Sequence, residues 1–141
     1  MAVVTNVAAN HLDRHGTMAH YAGAKKNIFR YQAGGDVLIL NRDAAVADWA
    51  AEAPAGVELF SANDEPFELR LPGRHNQANA QAAWAVGRRF GLSREEAAET
   101  LAEFTGLPHR LQLVSERDGV RFFNDSKCTT PEGAILALES F

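Results

Sequence analysis

The chain has 141 residues, of which 46% are hydrophobic and 23% charged, values typical of a globular protein of about one domain. A net charge of −4 without any basic run argues against a nucleic-acid partner, and no apolar stretch approaches the roughly 20 residues that span a bilayer. Because the single Cys128 cannot form an internal disulfide, we expect a cytoplasmic protein. From the charge and the lack of a spanning stretch, we expect no membrane partner.

Strand and helix patterns alternate along the first half of the chain. The predicted strands are short hydrophobic runs: 3–7, 36–40, 57–60 and 66–71. The predicted helices are 17–31, capped by Thr17, and the alanine-rich 43–53. We expect the strands at 57–60 and 66–71 to form a small antiparallel pair, and residues 8–16 to form a loop.

Two helices and a hairpin are predicted in the second half. The helices cover 75–90 and 93–104, and Ser93 with Glu96 forms a capping box at the start of the second. Strands at 111–115 and 120–124 flank an Asp-Gly turn, which is typical of a hairpin. Residues 105–108 interrupt the pattern, so we divide the chain into 1–106 and 107–141. About 35 residues are too few for an independent core, so we interpret the chain as a section of a longer protein.

The turn after the last predicted strand is rich in chemically active side chains. Asp125, Ser126, Lys127 and Thr129 precede a helix start that Thr130 can cap. Helix N-termini at the ends of strands favour anionic ligands. This turn is therefore a candidate ligand-binding segment.

A polar loop follows the first strand at residues 10–15. Its imidazoles and carboxylate, including His11, suit a divalent cation or a phosphate. A zinc pair is a weak alternative, because the segment has a loop pattern and no third ligand has a suitable spacing. Polar residues that only cap the next helix remain an equal alternative.

Lys25 lies one turn after Tyr21 on the same predicted helix face. A partly buried lysine can react as a neutral amine, including with carbon dioxide. From the local sequence alone, an ordinary solvated lysine is the better interpretation of Lys25 and also of Lys26.

Asn76 and Asn79, three residues apart, place two amides on one side of the first turn of a helix. They suit a purine edge or a phosphate, or they only satisfy backbone groups at the helix start. Arg110 follows the predicted boundary, where it suits either a phosphate or an inter-domain ion pair.

Five motifs in this order resemble the Mur ligase family over nearly the whole chain. They are NHLDRH at 10–15, Tyr21 with Lys25, GRHNQAN at 73–79, FTGLPHR at 104–110 and NDSKCT at 124–129. The resemblance implies an α/β fold: part of the family's central ATPase domain, with a mostly parallel sheet, flanking helices and a small antiparallel pair. The first hairpin and helix of a Rossmann-like C-terminal domain would follow.

The resemblance also implies a role for each site residue. His11 would bind Mg²⁺ together with Lys25 as a carbamate, and Tyr21 would support that site. The expected contacts with ATP are Asn76, Asn79, His109, Arg110 and, at the ribose, Asp125. Lys127 and Thr129 would lie near the incoming D-glutamate.

The implied reaction is ATP-dependent addition of D-glutamate to UDP-N-acetylmuramoyl-L-alanine through an acyl phosphate, a step in peptidoglycan precursor synthesis. The G-x-x-x-x-G-K-[ST] phosphate loop is missing from the sequence. The family's substrate domain and an acidic Mg²⁺ ligand also precede the region of resemblance. We therefore expect this chain alone to be inactive. We also expect a monomer. The alternatives are a section of another Mur-type or folylpolyglutamate-type ligase, or a non-catalytic nucleotide- or metal-binding module.

Overall fold

The computed structural model describes residues 1–9 and 12–141 and confirms the predicted α/β class. The strands are β1 (Ala2–Val4), β2 (Val37–Asn41), β3 (Gly56–Phe60), β4 (Gln112–Arg117) and β5 (Val120–Asn124). The α-helices are α1 (Leu12–His15), α2 (Met18–Arg30), α3 (Arg74–Gly87), α4 (Arg94–Glu103) and α5 (Pro131–Leu138). Residues Ala45–Glu52 and Arg88–Phe90 form 3₁₀ helices.

The strands β1, β2 and β3 form a parallel sheet with β2 at its centre. Leu38, Ile39 and Leu40 of β2 are fully buried, because helical segments cover both faces of the sheet. Since side chains alternate along a strand, Leu38 and Leu40 pack in one core with α2, while Ile39 packs in another with α3. The carboxyl ends of the three strands meet at one edge of the sheet.

A polar network at this edge connects the strand ends to the start of α3. Asp43 Oδ2 accepts hydrogen bonds from Ser61 Oγ at 2.7 Å and from Arg74 Nη2 at 3.0 Å. The same oxygen accepts the backbone N–H of Ala62 at 3.0 Å. Ser61 is fully buried, and its hydrogen bond is the main cause that lowers the pKa of Asp43. The network therefore fixes where α3 begins relative to the sheet.

The helix predicted at 43–53 is present, and it is a 3₁₀ helix over Ala45–Glu52. Its buried residues, Val46 and Trp49, are three positions apart, which matches the three-residue turn of a 3₁₀ helix. Asp43, which could have capped an α-helix, instead bonds Ser61, and Ala44 at the N-cap has no side-chain hydrogen bond.

The predicted antiparallel pairing of 57–60 with 66–71 was wrong. β3 pairs in parallel with β2, and residues 66–71 lie outside any strand. Gln77 of α3 takes the place of a strand partner for Phe67: its Oε1 accepts the Phe67 N–H at 3.1 Å, and its Nε2 donates to the Phe67 carbonyl at 2.6 Å. Both backbone groups of Phe67 are thus satisfied without a neighbouring strand.

The predicted caps of α2 and α4 are confirmed. Thr17 Oγ1 accepts the His20 N–H at 3.2 Å, and Ser93 with Glu96 forms the capping box. The loop prediction for 8–16 was wrong at α1, a short helix between the loop and Thr17. In the described part of the chain, no helix has both the length and the apolarity needed to cross a bilayer.

The hairpin predicted near the end of the chain is confirmed as β4–β5. Asp118 and Gly119 have φ values of 52° and 77°, as a two-residue type I′ turn requires. Thr130 Oγ1 accepts the Gly133 N–H at 3.2 Å, and Pro131 occupies the first turn of α5, as the sequence predicts.

Candidate nucleotide-binding cavity

A cavity of about 560 Å³ lies between the parallel-sheet unit and the hairpin with α5. Its walls come from α3, the end of α4, the linker before β4, the turn after β5, and α5. The size is ordinary for a small-molecule site. Six of the predicted site residues line it: Asn76, Asn79, Arg110, Asp125, Lys127 and Thr129.

One side of the cavity combines an apolar surface with the side-chain amides of two asparagines. Leu69, Leu101 and Phe104 contribute apolar wall, while Asn76 and Asn79 stand on the first turns of α3. Asn76 Nδ2 donates to the Pro72 carbonyl at 2.7 Å. Part of the Asn76 side chain therefore holds the helix start, and its Oδ1 has no hydrogen-bond donor among the described residues. Both interpretations of Asn76 from the sequence thus have a basis in the geometry.

The opposite side carries charge and is held in place by the linker. Asp125 Oδ1 accepts the Leu111 N–H at 3.1 Å, and the Lys127 N–H donates to the His109 carbonyl at 3.2 Å. Arg110 and Lys127 are exposed cations on this wall. Two cations beside one carboxylate suit a ligand with both phosphate and hydroxyl groups.

His109 is placed differently from the other predicted residues. It is not among the residues that line the described cavity, and its Nδ1 lies 3.0 Å from Asn124 Nδ2. The backbone N–H of His109 donates to Gln112 Oε1 at 3.0 Å. The φ of 66° at His109 is unusual for a residue other than glycine. In this arrangement His109 anchors the linker to the hairpin.

His75 is a cavity residue that the sequence reasoning missed. It follows the first residue of α3 and is partly buried. Burial lowers the pKa of His75, and the charge of Asp125 opposes that shift. Its position beside Asn76 was visible in the sequence, but its proximity to Asp125, fifty residues later, was not.

A second cavity, of about 370 Å³, lies at the carboxyl end of β1. Tyr21 and Lys25 line it, and Lys25 Nζ lies 5.3 Å from the centroid of the Tyr21 ring, so the two share a face as predicted. Lys25 is exposed. Thr130 lines this cavity and also the first one, so the two adjoin at the start of α5.

Lys26 was predicted to be an ordinary solvated lysine, and that prediction was wrong. It forms an ion pair with Glu52, and its Nζ lies 5.3 Å from the centroid of the Trp49 ring. Lys26 therefore joins α2 to the 3₁₀ helix, whereas Lys25 faces the second cavity.

The second cavity provides some, but not all, of the ligand atoms that a hard cation such as Mg²⁺ prefers. Mg²⁺ prefers oxygen ligands, and Thr5, Asn6 and Thr130 provide hydroxyl and amide oxygens. No group of three or more His, Cys, Asp or Glu side chains is placed for a metal in the described residues. A carbamate on Lys25 would add the anionic oxygens that this lining lacks. His11, the other predicted ligand, lies outside the described residues.

Comparison with known proteins shows which family the chain is similar to. The Mur ligase middle domain matches residues 1–68. The chain is 43% identical over all 141 residues to the UDP-N-acetylmuramoylalanine–D-glutamate ligase of Nitratidesulfovibrio vulgaris (strain DP4), and it covers 33% of that protein. The chain is similar to the Mur ligases along its whole length. The ligase of the same name from Pelotomaculum thermopropionicum is 40% identical over 170 residues, which cover all of this chain and 37% of that protein.

The chain thus spans about a third of the length of the curated Mur ligase relatives it matches. A crystal structure of MurF from Acinetobacter baumannii has the same fold, with a TM-score of 0.81 at 22% identity. That alignment covers 98% of this chain and 36% of the MurF chain. The α/β arrangement predicted from the resemblance is therefore the Mur ligase fold.

Proposed function

We propose that the chain forms part of the ATP- and Mg²⁺-binding region of a ligase that adds D-glutamate to UDP-N-acetylmuramoyl-L-alanine. The observation that carries the proposal is the shared cavity. Side chains from α3, the linker and the turn after β5, separated by more than fifty residues in sequence, line one space of nucleotide size. The names and identity of the relatives support the choice of reaction.

In this proposal the nucleotide lies in the first cavity. The purine lies against the apolar wall of Leu69, Leu101 and Phe104, and its polar edge faces Asn76 and Asn79. Asp125 accepts hydrogen bonds from the ribose, and Arg110 neutralises phosphate charge. His109 acts through the linker, where its imidazole and backbone hold Arg110 near the cavity.

The second cavity is the proposed site of the metal ion and the reacting carboxylate. His11 and Lys25, as its carbamate, would hold Mg²⁺, and Tyr21 would keep the Lys25 side chain on the cavity side. When bound, Mg²⁺ supplies charge neutralisation for the transferring phosphoryl group.

The proposed chemistry forms an amide in two steps. The carboxylate of the UDP-sugar substrate takes the γ-phosphoryl group of ATP, which gives an acyl phosphate and ADP. The amino group of D-glutamate then attacks the acyl carbon, loses a proton and expels phosphate. In this proposal Lys127 and Thr129 bind the carboxylates of D-glutamate; both line the first cavity, as Thr130 does.

The proposal assigns residues 1–106 to the central domain and 107–141 to the start of the glutamate-binding domain. Gly106, with φ of 91°, lies at this boundary. Since most of the length of the relatives lies outside the matched region, we propose that this chain alone does not catalyse ligation. We also propose that the ligase works in the cytoplasm, in peptidoglycan precursor synthesis.

Two experiments test the proposal. The first follows the amide signals of the chain by NMR during titration with Mg²⁺-ATP, and we expect saturable shifts around the cavity. Asn79→Ala should weaken binding by about 3- to 10-fold, the effect of one or two hydrogen bonds. Asn63→Ala, an exposed asparagine outside the cavity, is the matched control. A native chain whose signals do not respond to ATP would refute the nucleotide assignment.

The second experiment replaces the matching third of the Nitratidesulfovibrio vulgaris ligase with this chain. We expect phosphate release that depends on both D-glutamate and UDP-N-acetylmuramoyl-L-alanine, and Lys127→Ala should raise the KM for D-glutamate. A folded but inactive chimera would contradict the ligase assignment. Turnover by the 141-residue chain alone would overturn the expected inactivity.

A further inference from the structure

A third cavity, of about 280 Å³, is lined by α1 and α2. Arg14 and His15 line it from the end of α1, and Tyr21, Ala24 and Lys25 line it from α2. Tyr21 and Lys25 also line the second cavity, so the two spaces adjoin along this face of α2. The Lys25 side chain is therefore accessible from both cavities.

The wall that His15 and Tyr21 form is ordered by local contacts. The His15 carbonyl accepts the backbone N–H of Thr17 at 2.8 Å and the ring Nδ1–H of His20 at 2.9 Å, which fixes the turn after α1. The His15 and Tyr21 rings pack with their centroids 5.0 Å apart. Lys25 Nζ lies 5.3 Å from the centroid of the same Tyr21 ring. Because Tyr21 contacts both neighbours, the end of α1 and the Lys25 side chain keep a defined relative position.

The charged groups that line the third cavity are both cationic. Arg14 and Lys25 contribute a guanidinium and an ammonium, and no carboxylate lines this cavity or the second one among the described residues. Within the same part of the chain, neither cation forms an ion pair. Asp13, the nearest acid in sequence, is exposed and lies outside the cavity lining. Two cations without a counter-ion, in a chain of net charge −4, suit an anion between them.

We propose that Arg14 is a positioning residue that binds the carbamate group of Lys25 from the third cavity. In carbamate formation the unprotonated Nζ of Lys25 attacks the carbon of carbon dioxide, a C–N bond forms, and one C–O π bond opens. The nitrogen then releases one proton to water. Lys25 thereby changes from a cation beside Arg14 into an anion, and a guanidinium pairs with both oxygens of a carboxylate. Arg14 therefore favours the carbamate over the ammonium.

This inference rests on the proposed function, which assigns a carbamate on Lys25 and Mg²⁺ to the second cavity, and it adds a residue to that site. A carbamate has two oxygens, and Lys25 lines two cavities. One oxygen can thus face the metal site while the other faces Arg14. Because Arg14 acts from the third cavity, its contribution should persist when Mg²⁺ is absent.

The test follows carbamate formation on the chain by carbon NMR during titration with isotopically labelled bicarbonate, with and without Mg²⁺. Lys25→Met removes the amine and so identifies the signal of this residue. We expect Arg14→Gln to need about 2- to 5-fold more bicarbonate for half occupancy, the range for one exposed charge pair. Arg14→Lys, which keeps the charge, should recover most of this loss. Arg30→Gln changes an exposed arginine at the end of α2 that lines neither cavity, and it should leave the midpoint unchanged.

Salt separates an electrostatic role of Arg14 from a structural one. The difference between the native chain and Arg14→Gln should shrink as sodium chloride is added, because exposed charges are screened. A loss that salt does not change, or that Arg14→Lys shares in full, would overturn the inference. If Arg14→Gln fails to fold, Arg14→Lys and the native chain decide: a native carbamate whose occupancy does not fall with salt would then overturn it.

The same titration separates this inference from the proposed function. Equal carbamate occupancy in the native chain and in Arg14→Gln would overturn the role of Arg14, while the carbamate on Lys25 stands. A native chain that forms no carbamate on Lys25, with or without Mg²⁺, would refute that part of the proposed function and this inference together.

Discussion

Replacing Asp43 by alanine removes the acceptor of three hydrogen bonds at the carboxyl edge of the sheet. The Ser61 hydroxyl is fully buried and would lose its bond of 2.7 Å, at a cost of about 1–3 kcal/mol for an unsatisfied buried group. The Ala62 N–H would lose its bond of 3.0 Å, worth about 0.5–1.5 kcal/mol. The bond to Arg74, which is 62% exposed, adds about 0–1 kcal/mol. We therefore expect Asp43→Ala to lower the free energy of unfolding by about 1.5–5.5 kcal/mol.

Urea unfolding followed by tryptophan fluorescence measures this loss, since Trp49 is buried in the folded chain. Asp48→Ala, an exposed carboxylate on the 3₁₀ helix, is the matched control and should change stability by less than about 0.5 kcal/mol. In a Ser61→Ala background, Asp43→Ala should cost less, because the buried hydroxyl is gone. A loss below about 0.5 kcal/mol for Asp43→Ala alone would show that the network does not stabilise the fold, and our reasoning would be wrong.

Three further substitutions test other parts of the structure. Gly73→Ala should destabilise the chain by about 1–3 kcal/mol more than Gly91→Ala in urea unfolding, because both glycines have positive φ but only Gly73 has close neighbours. Burial alone would raise the pKa of Glu58, but two arginines lower it by more, so its stabilising contribution is present above about pH 4.3 and is lost as pH falls through the folded-state pKa. Glu58→Gln should therefore flatten the acid side of the stability profile, and an unchanged profile would contradict this. Lys26→Met should cost about 0.5–1 kcal/mol and alter the fluorescence of Trp49, through loss of the contact at 5.3 Å.

Local chemistry made several elements predictable. Thr17, Ser93 and Thr130 each cap a helix through a backbone N–H three residues later, so the whole signal lies within a few residues of sequence. The Asp118-Gly119 turn is equally local, because the left-handed conformations that it needs depend on those two residues. For such elements the residues that make the interaction are adjacent in the chain, and the sequence prediction succeeded.

The errors arose where distant residues supplied the partner. Gln77 satisfies both backbone groups of Phe67 from ten residues away, which no alternation pattern reveals. Asp43 bonds Ser61 eighteen residues later and was therefore not available as a cap. The same holds for the candidate site. The sequence showed which residue types each motif contains, but the short distance between α3 and the turn after β5 depends on the fold. The sequence alone could not reveal that His75 lines the same cavity as Asp125.

Thr130 caps α5 and also contributes to the walls of both cavities. Molecules that occupy the two spaces would therefore be separated by little more than one threonine. A group transferred from one occupant to the other would have a short path, without any large displacement of the hairpin. A bulkier side chain at position 130 would obstruct both compartments at once, so a single substitution there would impair two ligands together.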